Sequence, residues 1–197
     1  MRIISGSFKG KKISDPKDIK TRPLKDLTKE SIFNIIKHSN KLKVNLSNSN
    51  VLDLFSGVGS FGIECLSRNA KKVVFVENYS GVLPILKKNL KNLQSIENYL
   101  IIEKDIYNSD IFLKLEDKFD IIFLDPPYRN KNLDKVLIDI DEQKILKKNG
   151  IIIVHRHKNE QDSLPKNFEI TDKKKYGISK IIFLTNLLKI LKYNNIN

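Results

Sequence analysis

The stretch Val51-Leu52-Asp53-Leu54-Phe55-Ser56-Gly57-Val58-Gly59-Ser60-Phe61-Gly62 holds most of the topological information in this chain of 197 residues. Val51–Phe55 is a short apolar run bounded by turn residues, the pattern of a buried strand. Gly57, Gly59 and Gly62 then follow the spacing G-x-G-x-x-G into an apolar segment near 60–68 that reads as a helix. Downstream, the alternation continues. Lys72–Val76, Tyr99–Ile102, Asp120–Leu124, Gly150–His155, Phe168–Lys174 and Ile178–Thr185 read as strands, and segments near 80–93, 106–115 and 131–147 as helices. Ile121-Ile122-Phe123-Leu124 and Ile151-Ile152-Ile153-Val154 are apolar at both parities, so both faces of those strands need cover. Such strands, alternating with helices, predict an α/β fold with a doubly wound, mostly parallel sheet of seven strands. Tyr176-Gly177 joins the last two runs without a helix, which predicts a hairpin and an antiparallel last strand.

Upstream, Arg2-Ile3-Ile4-Ser5-Gly6 and Gly10-Lys11-Lys12-Ile13 read as two short strands about a turn. A loop over Asp15–Pro23 follows. Leu24, Leu27, Ile32, Ile35 and Ile36 then lie close to one face of a helix over 24–38. The Asn- and Ser-rich residues 39–50 read as a linker. The predicted organisation is a small N-terminal hairpin-and-helix extension at 1–45 and an α/β domain at 46–197.

A single cysteine, Cys65, excludes an intramolecular disulfide framework and a cysteine-based zinc cluster. No apolar stretch approaches the ~20 residues of a membrane span. The first residues lack the apolar core of a signal peptide. A soluble, cytoplasmic monomer is expected, with no metal ligand set. The net charge is +13, distributed as +8 over residues 1–50, −3 over 51–142 and +8 over 143–197. Basic ends around a mildly acidic centre fit an anionic macromolecule gripped beside a core. Compositional drift toward Lys, Ile and Asn accounts for the same excess, so charge alone leaves both readings open.

The glycine loop allows a nucleoside to approach the backbone closely. Glu77, 20 residues after Gly57 at the end of the second core strand, is placed to accept hydrogen bonds from ribose hydroxyls. NAD and S-adenosylmethionine both carry adenosine and both satisfy this pattern. Asp53 tilts the choice. A carboxylate four residues before Gly57 repels a pyrophosphate and suits a sulfonium cation with an amino acid tail. Asp105 follows the third strand and is in place to meet an adenine amino group. Phe55, Asn78 and Ile106 flank these positions and complete the candidate cofactor contacts.

The strand Asp120–Leu124 runs directly into Asp125-Pro126-Pro127-Tyr128. The prolines stiffen the chain and leave their carbonyls as acceptors. An –NH2 group on a planar ring has two N–H donors. The Asp125 carboxylate and the Pro126 carbonyl can accept one each, while Tyr128 stacks on the ring. Such a clamp turns the nitrogen lone pair toward an incoming methyl group, and the contribution is orientation and electrostatics.

With these residues in order, the chain resembles the RsmD family of bacterial 16S ribosomal RNA guanine-N2 methyltransferases. Asp53–Gly59 and Asp125–Tyr128 look like motifs I and IV of S-adenosylmethionine-dependent amino-methyltransferases. The N-terminal stretches Arg2–Gly6 and Gly10–Ile13, then Arg22-Pro23-x-x-Asp26-x-x-Lys29-Glu30-Ser31-Ile32-Phe33-Asn34, are similar to the same family. So are Gly62–Ala70 and Lys175-Tyr176-Gly177. The resemblance implies a Rossmann-like class I methyltransferase sheet, S-adenosylmethionine as cofactor, and methyl transfer to one guanine N2 amine in a small-subunit particle or assembly intermediate. It implies that Asp53, Gly57, Gly59, Glu77 and Asp105 line the cofactor pocket and that Asp125–Tyr128 hold the guanine. Arg2, Lys9, Lys11, Lys12, Arg22, Lys29, Asn34 and Arg129 are the expected RNA contacts. Lys29 stands where the family usually has Arg. His155-Arg156-His157 follows the fifth strand where acidic residues are common, and these histidines are expected to be structural or to face RNA.

Other readings remain. An NAD-dependent oxidoreductase explains the glycine loop but has no use for Asp125–Tyr128. A DNA adenine-N6 methyltransferase needs the same amine clamp, usually with a separate recognition domain. A protein glutamine N5-methyltransferase usually has Asn at position 125. An inactive RNA-binding assembly factor has no need of intact Asp125 and Glu77.

Overall fold

A computed structural model describes residues 1–16, 24–94, 96–108, 110–127, 132–161 and 163–187. Twelve elements follow in chain order: α1 (Asp26–His38), β1 (Asn50–Leu54), α2 (Ser60–Ser67), β2 (Lys72–Val76), α3 (Leu83–Lys91), β3 (Tyr99–Ile102), α4 (Asp110–Leu113), β4 (Phe119–Leu124), α5 (Leu133–Glu142), β5 (Leu146–His157), β6 (Phe168–Tyr176) and β7 (Ser179–Asn186). The strands form one sheet in the order β3-β2-β1-β4-β5-β7-β6. β1 to β5 are parallel, and β7 runs antiparallel to both of its neighbours. The expected doubly wound seven-stranded sheet with an antiparallel last strand is therefore present. Its strand order reverses between β1 and β4, where ligand crevices form in such sheets.

The apolar runs explain the layering. Alternate strand residues feed two buried clusters. One holds Val51, Phe75, Phe123, Ile153 and Phe183 with Phe33 and Phe61; the other holds Leu52, Val74, Ile122, Ile152 and Val136. Phe61 stacks on Phe123 at 4.0 Å and on Phe33 at 5.2 Å, so α1 and α2 are fastened over the middle of the sheet. Each such aromatic pair contributes about 0.5–1.5 kcal/mol beyond its buried area. No helix among the described residues is long and apolar enough to cross a membrane.

Local details differ from the sequence expectations. The N-terminal turn forms one bridge, Arg2 with Lys12, rather than two strands. Its edges are closed by Ile3 N–H to Lys11 O and Ile13 N–H to Met1 O. Ile3 and Ile13 are buried in the same cluster as the sheet. Residues 39–49 hold no regular element, yet Leu42 is buried and Val44 and Leu46 pack on that cluster. α4 shrinks to one turn. α5 ends at Glu142, because Lys144 takes a φ of 51° and Leu146 then pairs with Phe119.

Gly6 seats the N-terminal turn. Its φ is +84°, and a Cβ there would lie 1.8 Å from the Ser67 carbonyl oxygen. Only glycine lets this backbone close on the end of α2.

Candidate active site

Sheet register carries four polar side chains to one face at the carboxyl end. Asp53 pairs with Phe75 and Phe123, and Phe123 pairs with Ile153. Two residues further along each neighbouring strand come Glu77, Asp125 and His155, all on the same face because side chains alternate. Three carboxylates and an imidazole thus gather at the strand tips.

The β1–α2 loop is shaped by positive φ at Phe55 (60°), Gly57 (55°) and Gly59 (85°). A non-glycine residue held there costs about 1–3 kcal/mol, and the surroundings must enforce it. Ser56 does so. Its N–H donates to Val76 O, and its hydroxyl donates to Asp53 O at 2.5 Å. A Cβ on Gly59 would meet Leu86 at 2.5 Å, and one on Gly62 would meet Phe75 at 2.3 Å and the Asp53 carboxylate at 2.9 Å. These two glycines let α2 lie close to the sheet and to α3.

Glu77 is buried and rigidly held. Gly57 N–H donates to Oε2 at 2.7 Å, while Asn78 and Tyr79 N–H donate to Oε1 at 3.0 and 2.8 Å. Asp53 is 1 % exposed and accepts from Gly62 N–H, in the first turn of α2, at 2.9 Å. Burial pushes its carboxyl well above the usual carboxylate range, the Gly62 bond opposes this, and the charges of Asp125 and Glu77 push the same way as burial. An acidic set under mutual repulsion fits a cationic ligand and not a pyrophosphate. With the glycine backbone beside it, this set of acceptors fits S-adenosylmethionine.

Asp125 N–H donates to Leu54 O, tying the β4 tip to β1. Its Oδ1 lies 2.8 Å from His155 Nδ1. Burial lowers the imidazole's pKa, but the Asp125 charge and hydrogen bond outweigh it, and the net direction is up. Pro126 is buried and Pro127 exposed. Arg156, itself buried, donates from Nη1 to Pro127 O at 3.3 Å.

Asp105 is exposed after β3, and its Oδ1 accepts from Tyr107 N–H within its own turn. Ile106 is buried, and Asn78 is exposed beside Glu77. The Phe55 ring lies 5.8 Å from that of Tyr107. Arg2, Lys9, Lys11, Lys12 and Asn34 are exposed. Arg22, Tyr128 and Arg129 lie outside the described residues.

Lys29 departs from its expected place among the RNA contacts. It has no exposed surface, donates to Arg2 O at 2.8 Å and lies 3.7 Å from Glu64, so it serves the interior. Sequence reasoning also missed Glu64, which accepts from Ile4 and Ser5 N–H and from Arg68 Nε. It gave His155 and Arg156 no part in the tip that both of them grip.

The family described as Conserved hypothetical protein 95 matches residues 1–185. The chain belongs to the RsmD family. Among its relatives is the putative rRNA methyltransferase YlbH of Bacillus subtilis, 34 % identical over 92 % of this chain and 96 % of the relative. The ribosomal RNA small subunit methyltransferase D of Haemophilus influenzae is 35 % identical over 90 % of each chain. A crystal structure of a putative methylase from Haemophilus influenzae superimposes with a TM-score of 0.74 at 31 % identity, covering 94 % of this chain and 98 % of that one. This RsmD-family chain therefore has the class I methyltransferase fold, and its acidic strand tips fall at the switch point of that sheet.

Proposed function

We propose that the protein transfers a methyl group from S-adenosylmethionine to the exocyclic N2 amine of a guanine in small-subunit ribosomal RNA. The observation that carries this reading is the convergence of Asp53, Glu77 and Asp125 at the tips of β1, β2 and β4. A cofactor-facing pair and an amine-facing carboxylate thereby share one crevice. The relatives named as rRNA methyltransferases support the RNA substrate class.

S-adenosylmethionine supplies a methyl carbon activated by a sulfonium. Glu77, fixed by three backbone N–H groups, keeps acceptor capacity on Oε2 for ribose hydroxyls. Asp53 offsets positive charge beside Gly57 and Gly59. Phe55, Asn78, Asp105 and Ile106 supply the remaining cofactor contacts. Asp125 and the Pro126 carbonyl accept the two amine hydrogens, while Arg156 occupies the Pro127 carbonyl. The nitrogen lone pair then faces the methyl carbon, and Tyr128 stacks on the base. As the C–N bond forms, the methyl–sulfonium bond breaks with its electron pair retained on sulfur, S-adenosylhomocysteine leaves as a neutral thioether, and the surplus amine proton is lost to solvent. Holding the reacting atoms in line is the main contribution. Arg2, Lys9, Lys11 and Lys12, with Arg22, Asn34 and Arg129, grip the RNA backbone.

Tritiated methyl transfer to small subunits lacking this modification, followed by nucleoside analysis, tests the reading. N2-methylguanosine is the expected product. N6-methyladenosine would reassign the clamp to adenine, and no transfer with intact cofactor binding would point to an assembly factor.

A further inference from the structure

We infer that His155 is a positioning residue: it holds one oxygen of Asp125 inside the protein so that the other is presented to the substrate amine. The inference rests on the amine-clamp reading above.

A carboxylate is acceptor-only, so the 2.8 Å contact requires that Nδ1 carry the proton and donate to Oδ1. The imidazole is the inner partner, with 7 % of its side chain exposed against 20 % for Asp125. It is also well anchored. β5 pairs on one side with β4 through Ile151–Val154 and on the other with β7, where His155 stands opposite Ile181. The backbone carrying the donor is thus held from both flanks. A free carboxylate swings broadly about its last torsion. A fixed donor on Oδ1 removes that freedom and leaves Oδ2 for the amine.

The neighbouring residue acts on the same tip. Arg156 emerges on the opposite face of β5 and donates to the Pro127 carbonyl. Consecutive residues of one strand thus hold the carboxylate and the second proline carbonyl. Pro126 is left as the carbonyl partner of Oδ2. The single strand β5 sets the spacing of the clamp without touching substrate.

The test compares His155→Ala, His155→Asn and His155→Gln, with Asp125→Ala alongside. Small subunits lacking the modification and S-[methyl-³H]adenosylmethionine are the substrates. His155→Ala is expected to lower kcat about 10- to 100-fold, the scale of a misplaced reacting group, with KM for subunits and cofactor Kd within about twofold of wild type. The Asn amide nitrogen falls near the place of Nδ1, so His155→Asn is expected to restore kcat to within about threefold. The Gln amide reaches toward the place of Nε2 instead, and His155→Gln stays as slow as His155→Ala. Wild-type kcat in His155→Ala overturns the inference, as does an Asn variant no faster than the Gln variant. If His155→Ala does not fold, the Asn–Gln comparison decides alone. An active Asp125→Ala variant would remove the underlying clamp reading. A dead Asp125→Ala beside a fully active His155→Ala removes only the role of His155.

Discussion

Lys29 and Glu64 face each other 3.7 Å apart, and neither side chain has any exposed surface. Glu64 lies on α2, Lys29 on α1, and both reach the N-terminal turn: Glu64 through Ile4 and Ser5 N–H, Lys29 through Arg2 O. Burial lowers the Lys29 pKa more than Glu64 and Asp26 raise it, so these partners offset only part of the cost of burying the ammonium. Removing Glu64 leaves the buried Lys29 ammonium with only the part-exposed Asp26 as counter-ion, whereas removing Lys29 leaves Glu64 paired with Arg68 and bonded to Ile4 and Ser5 N–H. Glu64→Ala is therefore expected to cost about 3–5 kcal/mol, and Lys29→Met less. Urea unfolding measures both. A Glu64→Ala loss under about 1 kcal/mol would mean that the pair is not what fastens the turn.

Asp53 is predicted to exchange stability for ligand affinity. Its carboxyl is buried, and its pKa is raised above the unfolded value of 3.8. Such a group binds more protons folded than unfolded, so stability falls as pH rises from 3.8 through the raised folded pKa. Asp53→Asn keeps an acceptor for Gly62 N–H and removes the charge. The variant is expected to gain about 0.5–2 kcal/mol of stability at neutral pH. It is expected to lose cofactor affinity. Thermal melts and calorimetric titration with S-adenosylmethionine check the two halves, and a variant both less stable and equally tight would refute the exchange.

Glu77 makes a different prediction, because its charge is spread over three backbone donors. Glu77→Ala removes the proposed ribose acceptor and loosens Gly57. Cofactor binding is expected to weaken by about 1.5–3 kcal/mol, the range for hydrogen bonds to a charged group. Unchanged affinity would place the ribose contact elsewhere.

What the sequence made legible follows from which forces act locally. Val51–Phe55 and Asp120–Leu124 are strands because nothing but a covered sheet hides apolar residues of both parities, so β1 and β4 fell within a residue of expectation. The glycine loop and the Asp125 tip follow directly from those strand ends. The charge of Lys29 points to RNA, but its position on the helix points inward. It precedes Ile32 and Phe33 by three and four residues, which places it on the buried stripe of α1. His155 shares parity with Ile151 and Ile153, so its inward direction was visible in the sequence. Its partner was not, because the adjacency of β5 to β4 is a property of the crossover between them. α5 stopped early for a similar reason: Leu146 serves either a helix or a strand, and pairing with Phe119 chooses the strand.

The His155–Asp125 pair carries a pH signature in stability. The folded imidazole's pKa is raised above 6.5 by Asp125. Its stabilising contribution is fully present below 6.5 and is lost as pH rises through the raised folded pKa. His155→Ala is expected to cost more near pH 6 than above that folded pKa, the wild-type stability falling between the two while that of the variant does not. Denaturant titrations at a series of pH values give the difference directly. A cost that does not vary with pH would show that the imidazole is held neutral throughout.

RNA affinity is predicted to depend on salt through the exposed basic residues of the N-terminal turn. Arg2, Lys9, Lys11 and Lys12 are exposed on a short segment whose fold is pinned by Gly6 against Ser67. Lys29, buried, adds nothing to that surface. Each phosphate neutralised contributes about 0.7–0.9 to the slope of log affinity against log salt. Replacing Lys9, Lys11 and Lys12 together by Ala is expected to flatten the slope by about 2–3 and to weaken binding at low salt, while cofactor affinity holds. Filter binding of small-subunit RNA over a range of potassium concentrations reads this out. A slope unchanged by the triple substitution would move the grip to the basic edge strand β6, where Lys173, Lys174 and Lys175 are exposed and where Tyr176 meets Ser31 of α1 at 2.5 Å.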